Sequence, residues 1–314
     1  MSVCILCPRK CGVDREIMRG YCQSGDKMHI ARAKLHYWEE PPISGTRGSG
    51  TIFFTGCSLR CAFCQNSEIS GESLHGKDFT VEEFIETIKK LEAMGAHNIN
   101  LVTPTHFASQ IAEALRVYKP RVPVVYNCGG YESVETLRML EGLVDIYLPD
   151  FKYLNTDHAK KYSMAEDYPE IAKAALAEMV RQTGEPVFDE RGMMKRGVIV
   201  RHLLLPGCLA DGKRVVKYLH ETYGNRIYMS LMSQYTPMGR VLREPEFADI
   251  NRRITLRESR KVQNYMLELG LPGFCQKRSA AGERYIPDFT QFDTVNLGEE
   301  KFMQTTIQLL SPMK

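Results

Sequence analysis

The sequence predicts an α/β protein built as a partial (β/α)6 TIM-like barrel, preceded by a small cysteine-rich N-terminal metal-binding segment. Three observations predict it. Short apolar runs of strand type alternate with amphipathic helical stretches through the middle of the chain. Cys57, Cys61 and Cys64 stand directly after the first of those strands. Cys4, Cys7, Cys11 and Cys22 are crowded ahead of the alternation.

Each element follows from local pattern. Thr51–Phe54 is a short buried-strand run. Thr80 with Glu83 forms a capping box, and Val81, Phe84, Ile85, Ile88 and Leu91 share one helical face behind it. Asn98–Thr103 is the second strand, followed by a helix through Ile111, Leu115 and Tyr118. Val122–Tyr126 is the third, and Ser133 caps the helix carrying Val134, Leu137 and Leu140. Val144–Leu148 is the fourth, with a helix from about Pro169 that ends at Gly184. Val198–Leu205 and Ile227–Met232 are the fifth and sixth, followed by helices from about Asp211 to Tyr223 and from Leu256 to Leu269. Such alternation implies parallel strands with right-handed crossovers. An open doubly wound sheet is the alternative architecture. The expected divisions are a cysteine-rich segment over 1–49, the barrel over 50–236, and a C-terminal helix and tail over 237–314 that closes it. Pro41–Gly50 reads as loop.

Composition narrows the class. The 314 residues are 43% hydrophobic and 25% charged, as in globular proteins, and can bury a core without disulfides. A formal charge of +3 with no basic stripe argues against nucleic acid as a partner. No run approaches the ~20 apolar residues of a membrane span. The opening stretch from Met1 to Gly12 has no signal-peptide core. Ten cysteines in such a chain point to metal or redox chemistry, with the cytoplasm as the expected address.

Cys57-x3-Cys61-x2-Cys64 places three soft thiolates within eight residues, enough to wrap one small iron–sulfur cluster. An electron-carrying 4Fe–4S cluster usually takes four cysteines, so three suggest an iron left open for catalysis. A zinc knuckle completed by a distant residue is the alternative. In parallel barrels, chemistry sits at the C-terminal ends of strands, where this loop begins. The stretch from Gly50 to Asn66 resembles the radical S-adenosylmethionine superfamily, in the branch of pyruvate formate-lyase activating enzyme. It is most similar to uncharacterised relatives with an extra cysteine-rich N-terminus. The resemblance runs from Cys4 to about Pro237.

That resemblance implies a 4Fe–4S cluster on the triplet and S-adenosylmethionine on the open iron. Reductive cleavage would give methionine and a 5′-deoxyadenosyl radical that abstracts hydrogen from a substrate, such as a glycyl residue of a partner protein. A reduced flavodoxin or ferredoxin-type donor would supply the electron. Phe63 would pack near the adenine, or is simply core. At the second strand end the family's Gly-Gly-Glu element is absent, and Thr103 and Thr105 stand there instead. His106 beside them is a candidate proton donor or a capping residue. Asn127 lies where the activating enzymes have a threonine. Asp150-Phe151-Lys152 resembles their Asp-x-Lys element, whose aspartate helps hold a monovalent cation beside the cofactor carboxylate. Arg201 within an apolar strand, before Pro206-Gly207, matches their arginine and suits a bidentate contact to that carboxylate. Gln234, in Ser233-Gln234-Tyr235, is placed to touch adenine.

Cys4-x2-Cys7-x3-Cys11-x10-Cys22 suits either a closed zinc site or an auxiliary iron–sulfur cluster. Cys128 and Cys208 read as small buried residues, and Cys275 as a candidate radical or hydrogen-atom partner. The leading function is therefore a radical S-adenosylmethionine enzyme, acting as an activase or on a small molecule or peptide. The rival is a non-catalytic iron–sulfur or zinc protein for electron transfer or metal binding. It leaves Asp150 and Arg201 without a purpose.

Overall fold

A computed structural model describes residues 3–71, 75–276 and Phe289, with the backbone of Asp293–Thr294 and Gln308–Leu310. Most of the tail beyond Gln276 therefore lies outside the described residues, and the expected closure of the barrel by it with them.

The strands are β1 (Met28–His36), β2 (Ser49–Phe54), β3 (Lys77–Phe79), β4 (Ile99–Val102), β5 (Val124–Cys128), β6 (Ile146–Pro149), β7 (Val187–Phe188), β8 (Met194–Leu203), β9 (Tyr228–Met232), β10 (Gly273–Gln276), β11 (Asp293–Thr294) and β12 (Gln308–Leu310). The helices are α1 (Pro41–Ser44), α2 (Ser67–Ser70), α3 (Val81–Ala93), α4 (Ala108–Val117), α5 (Val134–Met139), α6 (Thr156–Ser163), α7 (Tyr168–Thr183), α8 (Leu209–Tyr223) and α9 (Leu256–Leu269).

The six expected strands are β2, β4, β5, β6, β8 and β9, and they pair in that order, all parallel. A seventh parallel strand, β10, follows α9 and pairs with β9. The run Gly273–Gln276 is too short to separate from loop by periodicity alone. At the other edge β1 lies antiparallel to β2, so residues 28–36 belong to the same sheet as the strands that follow. Pro41–Gly50 is not all loop, because α1 and the start of β2 fall within it.

The helix boundaries follow their caps. Thr80 and Glu83 form the reciprocal capping box at α3, and Thr255 and Glu258 form another at α9. Gly270 ends α9 in the left-handed conformation at φ 70°. Alternation along each parallel strand splits the interior in two. One face, with Ile52, Leu101, Tyr126, Tyr147, Val200 and Leu231, packs against the helices as the main core. The other face forms a smaller apolar layer of Val125, Ile146, Leu148, Ile199 and Phe274, plugged by Ile43 of α1. Among the described residues no helix is long and apolar enough to cross a membrane.

Candidate active site

The triplet loop leaves β2 through Gly56, whose φ of +79° is unfavourable for any other residue. A Cβ there would collide with the Cys22 carbonyl and the Ser24 hydroxyl. The Cys57 N–H donates to that same Cys22 carbonyl at 3.2 Å, and Gly56 N–H donates to Ile69 O at 2.7 Å. From the opposite side, Ala62 N–H donates to Tyr162 O of α6 at 2.8 Å. The loop is thus clamped between the N-terminal segment and α6.

Its sulfurs sit among hydrogen-bonding groups. Leu59 N–H approaches Cys57 Sγ at 3.4 Å, Ser163 Oγ lies 3.0 Å from Cys61 Sγ, and Ser70 Oγ lies 3.2 Å from Cys64 Sγ. Burial, and then the neighbouring thiols, push Cys57 and Cys64 upward, while Lys152 pulls both back. Protonated thiols crowded in a low-dielectric site deprotonate when a metal replaces their protons. Among the described residues, no group of three or more His, Cys, Asp or Glu side chains is arranged around a single metal-ion position. In a cluster each iron takes its own thiolate, so its ligands stand farther apart than around one ion. The soft, hydrogen-bonded donor set fits an iron–sulfur cluster.

The strand ends beside the triplet carry one charge network. Arg201 Nε donates to Asp150 Oδ1 at 2.9 Å, and its Nη2 donates to Asn127 Oδ1 at 2.7 Å. Lys152 Nζ donates to Asp150 Oδ2 at 2.6 Å. Glu39 completes the network, its Oε2 lying 3.5 Å from Arg201 Nη1 and its Oε1 3.3 Å from Asn127 Nδ2. Burial works against ionisation of Asp150, but the Arg201 and Lys152 charges outweigh it and hold the carboxyl below its usual range. Burial likewise opposes the charges on Lys152 and Arg201, and Asp150 more than offsets it. Asp150, Lys152, Asn127 and Arg201 are therefore brought together. Each guanidinium nitrogen of Arg201 already meets a protein partner, and both oxygens of Asp150 meet a cation.

The other expected residues fall in different surroundings. Thr103 closes β4 with a left-handed backbone at φ 59°, and its N–H donates to Asn127 O at 2.9 Å. Thr105 donates its hydroxyl to buried Glu132 at 2.8 Å, so that oxygen is engaged inside the protein. His106 is neither exposed nor a cap: it is buried, and its Nε2 lies 2.7 Å from the Thr55 carbonyl. A carbonyl only accepts, so Nε2 carries the proton, and burial lowers the imidazole to about 3. It stays neutral and does not donate a proton. Phe63 is buried edge-on to Tyr235, with ring centres 6.0 Å apart. Gln234 donates through Nε2 to Gln276, and its buried Oε1 has no partner.

Cys275 pairs in register with Leu231, whose side chain packs on the helix-covered face. Directly opposed residues point to the same side, so Cys275 faces the helices while Phe274 faces the interior. Burial pushes its thiol up to about 11. That placement puts it on the face of the sheet opposite to Arg201 and Ser230. Cys128 is buried in the main core, and Cys208 is partly buried against it.

The N-terminal cysteines gather in turns ahead of β1. Cys4 N–H donates to Val13 O at 2.9 Å, and Gly12 N–H donates to Cys4 O at 3.1 Å. Burial raises Cys4 and pushes Cys7 up to about 12. Cys11 is lowered: burial opposes this, but the N–H groups of Tyr21 and Val13 and the Cys4 thiol outweigh it. Cys11 and Cys22 sulfurs both lie beside Gly20, where a Cβ would stand 3.0 and 3.9 Å from them. The segment is fastened over the strand ends. Arg9 donates to Ser58 O at 2.9 Å and lies 4.3 Å from the Tyr21 ring centre. Ser133 and Thr136 hydroxyls both donate to Leu6 O.

Sequence reading missed Glu39, Glu40 and three arginines that tie the N-terminal segment down. These are Arg9, Arg15, which donates to the His106 and Gly25 carbonyls, and Arg60, which donates to Tyr21 O at 2.9 Å. The only available signal was an acid pair set between Trp38 and Pro41-Pro42. Charged residues in a segment without strand or helix periodicity give no hint of burial.

Residues 51–196 match the family model described as the Radical SAM superfamily. Over 279 residues the chain is 30% identical to "Uncharacterized protein MJ0674" of Methanocaldococcus jannaschii, covering 85% of this chain and 76% of the relative. Among solved structures it is similar to Streptococcus suis SuiB bound to the precursor peptide SuiA. The identity is 12%, the TM-score 0.47, and the match covers 70% of this chain and 46% of that one. It is also similar to HydG, a maturase of the [FeFe]-hydrogenase, at 14% identity and a TM-score of 0.46, covering 69% of this chain and 48% of that one. The chain thus spans just under half the length of these solved proteins.

Proposed function

The chain belongs to the radical S-adenosylmethionine superfamily, and on that premise we propose that it cleaves S-adenosylmethionine reductively at a 4Fe–4S cluster held by Cys57, Cys61 and Cys64. The observation that carries this reading is the juxtaposition of three half-buried thiols with the Asp150–Lys152–Arg201 network at neighbouring strand ends. Cys57, Cys61 and Cys64 would hold the cluster, which when bound would supply the electron for reductive cleavage of the cofactor.

The residues of the chain bind and orient. Ser163, Ser70 and the Leu59 N–H hold the thiolates by hydrogen bonds. Arg201 retains N–H bonds beyond those given to Asp150, Glu39 and Asn127, and these are proposed to meet the cofactor carboxylate. Lys152 on Asp150 occupies the place proposed for a monovalent cation, so any such ion competes with that ammonium. Thr103 closes the pocket at β4, and Phe63 with Gln234 forms its adenine side. The electron donor is proposed to be a reduced flavodoxin or ferredoxin-type protein, and the substrate a glycyl residue of a partner protein, a peptide or a small molecule. The four N-terminal thiols are proposed as a second metal centre. Like the triplet, they do not surround a single metal-ion position among the described residues, which favours iron and sulfide over zinc.

The test is anaerobic reduction of the reconstituted chain with dithionite in the presence of S-adenosylmethionine, followed by assay of 5′-deoxyadenosine. Product is expected from the wild type and none from Cys57→Ala. Product no greater than in that variant would leave the non-catalytic reading in its place. Metal analysis of Cys22→Ser identifies the N-terminal metal by which element is lost.

A further inference from the structure

Two glutamates leave the end of β1 and turn inward beneath the strand-end network. Their position follows from α1, whose Ile43 plugs the apolar layer and whose first turn is closed by the Glu40 carbonyl accepting from Ile43 and Ser44 N–H. Inward-facing positions one step along the strands from that layer are polar. Asn127 follows Val125, Asp150 follows Leu148, Arg201 follows Ile199 and Ser230 follows Tyr228. Glu39 reaches this level and bonds Asn127 and Arg201.

Glu40 does not complete its bonds. It is 1% exposed, and its Oε2 has no partner. Asn100 is fully buried with both amide atoms unpartnered, and Ser230 is fully buried with an unpartnered hydroxyl. Burial raises both carboxyls, Glu40 to about 7. Asn100 beside Glu39 and Ser230 beside Glu40 offset this only in part, and neither pair reaches hydrogen-bond geometry, so a further positive charge is what would hold both ionised. Buried polar atoms left open at this density await a ligand or ordered water. Charge decides which ligand fits. The carboxylates Asp150, Glu39 and Glu40 face the cations Lys152 and Arg201, an excess of one negative charge when all are ionised. The unpartnered atoms comprise acceptors at Glu40 Oε2 and Asn100 Oδ1 and donors at Asn100 Nδ2 and the Ser230 hydroxyl.

We infer that this polar layer receives the protonated amino group of an alkylammonium substrate, with Glu40, Asn100 and Ser230 as its hydrogen-bonding partners. The inference rests on the reading above and names its substrate class. An ammonium brings three donors and one positive charge, which satisfies the open acceptors and neutralises the excess. A neutral alcohol of the same length leaves the charge uncompensated.

The test is calorimetric titration of the full reconstituted chain, saturated with S-adenosylmethionine and without reductant. The probes are n-butylammonium chloride, 1-butanol, potassium chloride and acetyl-glycyl-lysyl-glycinamide. Saturable binding of n-butylammonium at one site, with none of 1-butanol, is expected. Glu40→Gln should weaken it at least about tenfold, and Ser230→Ala less, giving a second readout if the first variant folds poorly. A peptide that binds more tightly than the free amine marks a lysine side chain as the source, and one that binds more weakly marks a free amine. Equal binding of the alcohol, unchanged affinity in both variants, displacement by potassium at equal affinity, or binding abolished by S-adenosylmethionine would each overturn the inference. Formation of 5′-deoxyadenosine is assayed separately. Turnover without ammonium binding sinks only this inference, whereas ammonium binding without turnover sinks the reading above and, with it, the substrate role.

Discussion

The protein holds two groups of cysteines that share a residue type and little else. The triplet follows a parallel strand, and its sulfurs feel the charge of Lys152, which bonds Asp150 and through it reaches Arg201. The N-terminal four sit in turns that hydrogen-bond to one another, and they border backbone amides and one another. An open metal site needs neighbours that recognise a further ligand, whereas a closed one needs only enough thiols. The difference lies in what surrounds the sulfurs, which thiol spacing alone does not give. The two groups still touch, through the Cys57 N–H on the Cys22 carbonyl.

The largest effect is expected where the triplet's surroundings are removed and its ligands kept. Asp150→Asn leaves Arg201 and Lys152 without their shared counter-ion in a site where their side chains are only 17% and 15% exposed. Chemical denaturation of the variant should show a loss of about 3 kcal/mol. A stability unchanged within error would mean that the network is solvated and does not order the site. Gly56→Ala tests the junction between the two groups, since it combines a left-handed backbone with a collision at the Cys22 carbonyl. It should cost more than about 1 kcal/mol and reduce the iron retained by the triplet, both measurable on the purified chain. If iron content and stability both hold, the two groups are independent.

Smaller effects sharpen the comparison from the N-terminal side. Arg9→Met removes the guanidinium lying over Tyr21 and its bond to Ser58 O. A double-mutant cycle with Tyr21→Leu should give a coupling of about 0.5–1 kcal/mol, and zero coupling would show that the segment is held by other contacts. One further effect emerges only below neutral pH, at His106. Its folded value of about 3 lies below the ordinary 6.5, so the unfolded chain binds the extra proton in between. Stability therefore falls as pH is lowered through that window. His106→Asn should show a shallower fall over the same range than the wild type, and equal slopes would contradict the buried neutral imidazole.

Strand and helix order was legible because it depends on near-neighbour chemistry. The box at Thr80 and Glu83, the cap at Ser133 and the stop at Gly270 each act within one turn of helix. The seventh strand β10 was not legible, because four residues carry no period and gain strand character only by pairing with β9. Asn127, Asp150 and Lys152 were picked out through the resemblance to the activating enzymes, and Arg201 as a charge inside an apolar strand, where burial without a partner is costly. The structure brings the four together. Cys275 misled for the converse reason: nothing in Gly-Phe-Cys-Gln fixes which face of the sheet the thiol takes until register with Leu231 is set.

The sequence by itself determined the thiol triplet, its place after a strand and the alternation that makes the sheet parallel, since these follow from ligand chemistry and local periodicity. Only the tertiary structure decided that Glu39 and Glu40 turn into the barrel, that His106 is neutral and that Cys275 looks away. Each is a matter of what a side chain meets across long stretches of chain. Burial and charge arise from those distant neighbours, and no local pattern of residues encodes them.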